Sequence, residues 1–362
     1  DVDGVVGFTM MPGLAAYSGA DCCDLGRTAP QYGPFYRLTP RDHHLYTFER
    51  AVFSRDSRTE ILSLSEREKS VYQQYYGTPE ERFHLLPPTL DLDRRPIADQ
   101  QRVSATLRSE LGVNASDVLL LFVGSGFKTK GLDRAILALA SLPQDALDTT
   151  HLIVVGQDQP TPYLRLARKL GVGERIKFLG GRMDIPELLA AGDLLIHPAY
   201  MENTGTILLE AIAAGLPVIA TDVCGYAGHI KKADAGAVLP SPFDQKLLNK
   251  NLNDALITST REHWSANGLS YGAQSSLYHM PQTAANAIES IVLKKKQSRT
   301  KSQNAPVEPW VYLRHDLERL GQFDQIMSLD GEIFREAPGR KTVRFKKNER
   351  NYFLKTHTGV GW

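Results

Sequence analysis

The sequence predicts an α/β fold of doubly wound parallel sheets, and three observations predict it. Between about residues 118 and 277, short apolar runs alternate with segments of helical period. The runs are apolar at successive positions rather than at every second one, as in parallel strands covered by helices on both faces. The first of them leads straight into a glycine-rich stretch, at the strand end where such folds hold their ligands.

From residue 1 to about 88 the pattern is βα-like. An apolar strand at 5–8 precedes a helix expected to start near Pro12, because proline suits a first helical turn. A second strand, 60–64, runs into Ser65-Glu66-Arg67-Glu68, which has the Ser-x-x-Glu spacing of a capping box. A third, 82–86, is stopped by Pro87-Pro88. The regular part has strands at 118–123, 151–155, 175–179, 193–197, 217–221 and 237–239. Helices at 132–141, 163–170, 186–191 and 206–214 separate most of them.

Residues 294–309 open with Lys294-Lys295-Lys296 and stay polar and basic, the composition of a solvated linker. Beyond it, 326–329, 342–346 and 351–355 read as antiparallel strands, with tight turns at Pro338-Gly339 and Lys347-Asn348. The expected organisation is a partial α/β domain (1–92), a second one with a closing helix (93–293), a linker (294–309) and a β-rich start of another domain (310–362). Residues 1–8 read as a core strand already in progress, and Gly361-Trp362 follow directly on a strand-like run, so a fragment is expected at both ends.

A composition of 42% hydrophobic and 23% charged residues is that of a globular protein. The net charge of +1 gives no global pull toward nucleic acid, and none is expected as a partner. No apolar run approaches the roughly 20 residues of a membrane span. Cys22, Cys23 and Cys224 are too few for a disulfide framework, and the adjacent pair lacks metal-site spacing, so a reduced cytosol is the expected compartment.

Two segments carry candidate chemistry. Gly124-Ser125-Gly126-Phe127-Lys128-Thr129-Lys130-Gly131 follows a strand and precedes a helix. It is neither dinucleotide fingerprint, which needs glycine at Thr129, nor P-loop, since Leu132-Asp133 replaces Lys-Ser/Thr. It reads either as a flexible loop whose lysines meet a diphosphate or as a solvated surface loop. The second segment is Glu202-Asn203-Thr204-Gly205-Thr206-Ile207-Leu208-Leu209-Glu210, a loop entering a helix. Its helix start offers N–H groups to phosphate oxygens, Glu210 reaches the hydroxyls of an adjoining ribose, and Glu202 those of a second sugar. A glycosidase acid/base pair and a helix with incidental glutamates are the alternatives.

Taken together, a strand–glycine loop–Lys–Gly unit, Glu-x7-Glu across a loop-to-helix junction, and a closing Ala213-Ala214-Gly215-Leu216-Pro217 resemble glycosyltransferase family 4. The likeness is closer to its lipopolysaccharide core glucosyltransferases. It runs through Met11-Pro12-Gly13-Leu14, Phe35-Tyr36-Arg37-Leu38-Thr39, Phe48-Glu49-Arg50-Ala51, Lys130-Gly131-Leu132-Asp133-Arg134 and His197-Pro198-Ala199-Tyr200, over about residues 1–291.

The resemblance implies a GT-B fold of two Rossmann-like domains, the first truncated here. It implies a retaining transfer of glucose from the nucleotide sugar UDP-glucose to an inner-core heptose of lipopolysaccharide, at the cytoplasmic face of the inner membrane. Lys130 would hold the diphosphate with Gly124, Ser125 and Lys128, and Gly205 and Thr206 would supply backbone N–H groups. Glu210 would take the ribose and Glu202 the transferred sugar, with Lys130 and Glu202 closest to the chemistry. No metal and no cofactor are implied. The sequence departs from the family at Ser125 and Thr129, where relatives carry arginine, and at Thr9-Met10. A missing N-terminal part would leave the acceptor site incomplete and the chain inactive alone. Another nucleotide sugar, or a non-catalytic nucleotide-sugar module, are the other readings.

Residues 24–53 crowd Arg27, Tyr32, Phe35, Tyr36, Arg37, Arg41, His43, His44, Tyr46, Phe48 and Arg50 together. This suits either an anionic membrane surface or a helix whose rings are core. Gly331-Glu332-Ile333-Phe334-Arg335, Arg340-Lys341-Thr342-Val343-Arg344-Phe345 and Tyr352-Phe353-Leu354-Lys355 resemble the opening strands of a lipopolysaccharide core heptose kinase. That likeness implies a glycosyltransferase–kinase fusion, cut short, with Lys355 as the lysine that holds ATP phosphates.

Overall fold

Two parallel sheets make up the first of the chain's two compact units, Asp1–Gln303; the second is Asn304–Trp362. The computed structural model describes residues 4–19, 21–32, 40–90, 94–97, 99–274, 277, 279–301, 332–337, 340–347 and 350–357, with side chains of 29–32, 40–41 and all beyond 294 left out.

The smaller sheet joins β1 (Val6–Gly7), β2 (Ala16–Ser18), β3 (Glu60–Ser63) and β4 (Phe83–Leu85) in that order, every pair parallel. Helices α1 (Asp24–Tyr32), α2 (Pro40–Phe53) and α3 (Glu66–Tyr76) lie between its later strands. The helix expected near Pro12 is absent. Gly13 takes a left-handed φ of 83°, the chain turns, and the buried Leu14-Ala15 lead into β2 instead. Ser65 does cap α3, its Oγ accepting from the Glu68 N–H at 3.3 Å. The Glu68 carboxylate does not return to close a capping box; it accepts from the Cys23 N–H at 3.0 Å, tying α3 to the approach to α1.

The larger sheet is built from α4 (Gln100–Leu111) onward. Its strands are β5 (Val118–Val123), β6 (Thr150–Val155), β7 (Ile176–Gly180), β8 (Leu194–His197), β9 (Val218–Thr221) and β10 (Gly236–Leu239). Their spatial order, β10-β9-β8-β5-β6-β7, is the dinucleotide-fold order, with the reversal between β5 and β8. Around them lie α5 (Phe127–Lys130), α6 (Leu132–Leu139), α7 (Gln144–Leu147), α8 (Thr161–Lys169), α9 (Ile185–Ala191), α10 (Thr206–Ala213), α11 (Ala227–Ala233), α12 (Gln245–Ala255) and α13 (Thr258–Gly272). All six expected strands are present. The apolar run of β5 shows why: Leu119, Leu121 and Val123 pack with α4, α9 and α10, while Leu120 and Phe122 pack with α6 and α12 on the other face.

α4, α11, α12 and α13 have no counterpart in the sequence reading. In α13 the physical reason is plain, because it buries glycines rather than an apolar stripe. A Cβ on Gly272 would stand 2.5 Å from Ala213 Cα, so backbone meets backbone there. α14 (Met280–Lys301) returns to the smaller sheet, where Ile291 packs with Ala16, Leu62 and Leu86. It runs into the expected linker, whose residues 294–301 are helical, as a run of lysine, glutamine and arginine without glycine or proline permits. In the second unit β11 (Glu332–Ala337), β12 (Arg340–Lys347) and β13 (Arg350–His357) form an antiparallel sheet in that order. The expected strands 342–346 and 351–355 fall within β12 and β13. The strand 326–329, the turn Pro338-Gly339 and Asn348 of the second turn lie outside the described residues.

The β5–β8 junction is fixed at its entry by Arg108 of α4, which is 9% exposed. Its guanidinium donates to Ala191 O and Asp193 Oδ2, both at 2.9 Å, and to the carbonyls of Asn114 and Asp117. Asp193 in turn accepts from the Leu119 N–H at 2.7 Å. Arg108→Ala strands these acceptors, and a loss of about 3 kcal/mol is expected. A denaturant midpoint within error of the parent chain would contradict it.

Candidate active site

The loops that leave β5 and β8 meet where the strand order reverses. After β5, Gly124, Gly126 and Gly131 all take positive φ, and between the last two the chain forms the short helix α5. The expected flexible loop is thus a pinned helical turn. Phe127 is 1% exposed, stands edge-on to Phe122 and Tyr163, and donates its N–H to Asp158 Oδ2 at 2.8 Å. Gly131 makes a close approach to the partner loop: a Cβ there would lie 2.1 Å from Pro198 O.

The β8 loop is held against this turn by several bonds. Arg134 of α6 donates to Pro198 O and Ala199 O, both at 3.0 Å, and its guanidinium lies between the Tyr200 and Phe243 rings, 3.5 and 3.7 Å from their centroids. Tyr200 donates its N–H to Thr129 O at 2.8 Å and its hydroxyl to Asp133 at 2.7 Å. The loop then carries Glu202, which bridges to Cys224, and reaches Gly205, whose φ of 79° opens α10. No side chain caps the first turn of α10, so its N–H groups have no competing local acceptor side chain.

A cavity of about 350 Å³ opens between these loops, the size of a small-ligand site. Gly124, Lys130, Glu202, Gly205, Thr206 and Glu210 line it together, six of the eight residues singled out by sequence. Ser125 and Lys128 are not in its lining; both are exposed, and the Ser125 Oγ accepts from the Gln157 N–H at 3.0 Å.

Two titratable lining residues, Arg94 and His197, escaped the sequence reading. Arg94 comes from the segment between the two sheets, where no strand or helix pattern marks it. Asp91-Leu92-Asp93, just before it, has the Asp-x-Asp form but lies outside the described residues. His197 closes β8, and a histidine ending an otherwise apolar strand was the available signal. Among the described residues, no cluster of three His, Cys, Asp or Glu side chains could hold a metal ion.

The charges in the cavity are coupled. Lys130 Nζ forms an ion pair with Glu202 Oε2, and His197 Nε2 stands 3.5 Å from the same oxygen. Burial pushes the Glu202 carboxyl up, but His197 and Lys130 more than offset it and hold the carboxyl below the ordinary glutamate value of 4.5. A carboxylate kept ionised accepts hydrogen bonds well and is a poor general acid, which disfavours the glycosidase pairing. Cations, an open helix start and two glutamates, Glu202 held ionised, in one cleft can hold a diphosphate and the hydroxyls on either side of it.

Known proteins share the sequence pattern and the fold. Residues 103–270 match the family described as Glycosyl transferases group 1. The chain is 45% identical over 287 residues to the lipopolysaccharide glucosyltransferase WaaG of Escherichia coli strain K12, covering 79% of this chain and 77% of that protein. The crystal structure of WaaG, a glycosyltransferase involved in lipopolysaccharide biosynthesis, superposes with a TM-score of 0.74 over 79% of this chain and 78% of that one. Anabaena Alr3699/HepE, solved in complex with UDP-glucose, shares the fold at 22% identity, with a TM-score of 0.58 over 79% and 72% of the two chains.

The Glu202 shift has a definite sign. Its native value lies below 4.5, so the charged form stabilises the fold above that pH and the contribution is lost as pH falls through the native value. Lys130→Met removes one of the two offsetting groups while burial remains. The Glu202 side-chain carbon signal should then titrate at higher pH than in the parent chain. An unmoved midpoint would show that Lys130 does not hold the carboxyl down.

Proposed function

The chain belongs to the group 1 glycosyl transferases as a WaaG-type member, and from that premise we propose that it transfers glucose from UDP-glucose to an inner-core heptose of lipopolysaccharide with retention of configuration. It is a GT-B glycosyltransferase of lipopolysaccharide core synthesis. The observation that carries the finer reading is the single cavity shared by Lys130, Glu202, Glu210 and the start of α10.

In this reading the diphosphate lies between Lys130 and the first turn of α10. Arg94 stands in the same lining and supplies a second cation where Thr129 replaces the relatives' arginine. Glu210 takes the ribose hydroxyls and Glu202 those of glucose. The bond from the anomeric carbon to the β-phosphate oxygen breaks, and an acceptor hydroxyl bonds to that carbon on the same face. The hydroxyl's proton passes to the departing phosphate oxygen, so no side chain serves as nucleophile or base. Lys130, Arg94 and the helix dipole stabilise the charge that develops on UDP, which is the largest protein contribution such a step needs. This charge compensation needs no divalent metal.

We propose in addition that the protein works at the inner membrane's cytoplasmic face. No helix among the described residues is long and apolar enough to cross a membrane. One face of α2 is core, with Glu49 1%, Val52 0% and Phe53 1% exposed. The other presents His43, His44 and Arg50 to solvent, and Leu45, a turn before Glu49 on the core side, is exposed as well. Phe35, Tyr36 and Arg37 of the same stretch, and the side chains of Tyr32 and Arg41, lie outside the description. For the second unit, the three antiparallel strands, with Lys355 of β13 opposite Thr342, support the start of a kinase lobe fused to the transferase.

Calorimetric titration with UDP in the presence of a chelator tests the cleft. Binding is expected without metal, and Lys130→Ala should weaken it at least about tenfold, the worth of one charge-assisted contact. Equal affinity in the two proteins would remove Lys130 from the diphosphate site. For the membrane surface, flotation with vesicles should rise with their anionic lipid content; recovery independent of that content would overturn peripheral attachment.

A further inference from the structure

The transfer scheme leaves His197 without a task. The residue lines the cavity at the end of β8 and is 1% exposed. Its Nε2 lies 3.5 Å from Glu202 Oε2, an ion-pair distance too long for a good hydrogen bond. Neither ring nitrogen has a hydrogen-bond partner among the described residues. Phe122 lies against the ring, centroids 6.3 Å apart and planes at 22°, so that side of the imidazole is apolar.

A buried imidazole with unmet nitrogens costs free energy. Packing alone does not call for it, since the rest of β8 is Leu194-Leu195-Ile196 and a leucine would suit the same position. The carboxylate decides where its proton sits. A lone pair on Nε2 would face Glu202 with like sign, so the neutral ring carries its hydrogen on Nε2 and leaves Nδ1 bare.

Lys130 and the diphosphate complete the argument. Lys130 pairs with Glu202, yet a diphosphate in the cleft competes for the same ammonium group. Other groups facing Glu202 offer no replacement. Burial pushes the Cys22 and Cys224 thiols up to about 12, which leaves both neutral. Arg67 pairs with Glu68 at 3.2 Å, and Glu210 across the cavity is itself an acid. Arg94, the remaining cation of the lining, is drawn to the diphosphate like Lys130.

We propose that His197 is a positioning residue that takes over the Glu202 carboxylate as Lys130 turns to the diphosphate, so that Glu202 stays ionised and aimed at the hydroxyls of the transferred sugar. This rests on the reading of the cleft as a nucleotide-sugar site. His197 acts through Glu202 and touches no part of the nucleotide. Its loss therefore affects recognition of the sugar and spares that of UDP.

UDP and UDP-glucose are titrated into the full chain and its His197→Leu and His197→Gln variants. His197→Leu should bind UDP-glucose about tenfold more weakly and UDP within twofold of the parent. His197→Gln, which keeps a side-chain N–H, should restore most of the loss. Equal weakening of both ligands would mark a merely structural residue, and no weakening would overturn the proposal. The imidazole nitrogen shifts give a readout that needs no ligand: hydrogen on Nε2 supports the pairing, and hydrogen on Nδ1 alone overturns it. If the parent chain binds neither nucleotide, the nucleotide-sugar reading fails and the proposal falls with it. Intact binding with a silent His197→Leu removes the proposal alone.

Discussion

The pairing of β5 with β8 is the constraint from which the site follows. These strands are far apart in sequence and adjacent in the sheet, Leu120 against Leu194 and Leu121 against Leu195. Because the order reverses there, the connections leaving them run to opposite faces and leave a crevice at the carboxyl ends. Arg108 and Asp193 secure the entry of the pair. Arg134, Tyr200 and the glycine contact of Gly131 with Pro198 secure the exit. Lys130 and Glu202 then meet as a consequence of two strands being neighbours.

That meeting also solves an electrostatic problem. Glu202 is pulled out of water, which alone would favour its protonated form. An acid in that state would lose its value as an acceptor for sugar hydroxyls. The ammonium of Lys130 and the imidazole of His197 restore the charge, from α5 and the end of β8 respectively. In the proposed reading the same ammonium of Lys130 suits a leaving diphosphate, so one side chain serves the ground-state carboxylate and the charge that develops during transfer. The α/β framework around it has its own interior on each face of the sheet, which keeps the loops from having to supply stability themselves.

The larger sheet was legible because its strands are covered on both faces and therefore apolar at every position. Val118 to Val123 could hardly be anything else. The Glu-x7-Glu spacing was legible for a similar reason, since it spans a loop-to-helix junction with its own local grammar. The start of the chain misled for an equally physical reason. Pro12 is compatible with a helix start, but the next residue is a glycine free to turn, and only the sheet it then joins makes turning favourable. α13 was illegible because its packing surface is made of Gly268 and Gly272, which leave no hydrophobic period.

By itself the sequence determined the α/β class, the strand set of the larger sheet, the transferase kinship, and the lysine and two glutamates of the cleft, all of which rest on local pattern or on chemistry at fixed spacing. Tertiary structure alone decided that Arg94 and His197 join them and that Ser125 and Lys128 stay outside the lining. The reason is that neighbourhood in the cleft is set by strand order. Arg94 sits in a segment without a periodic signal, His197 ends a strand whose partner lies some seventy positions away (Leu121 against Leu195), and no spacing along the chain encodes either approach.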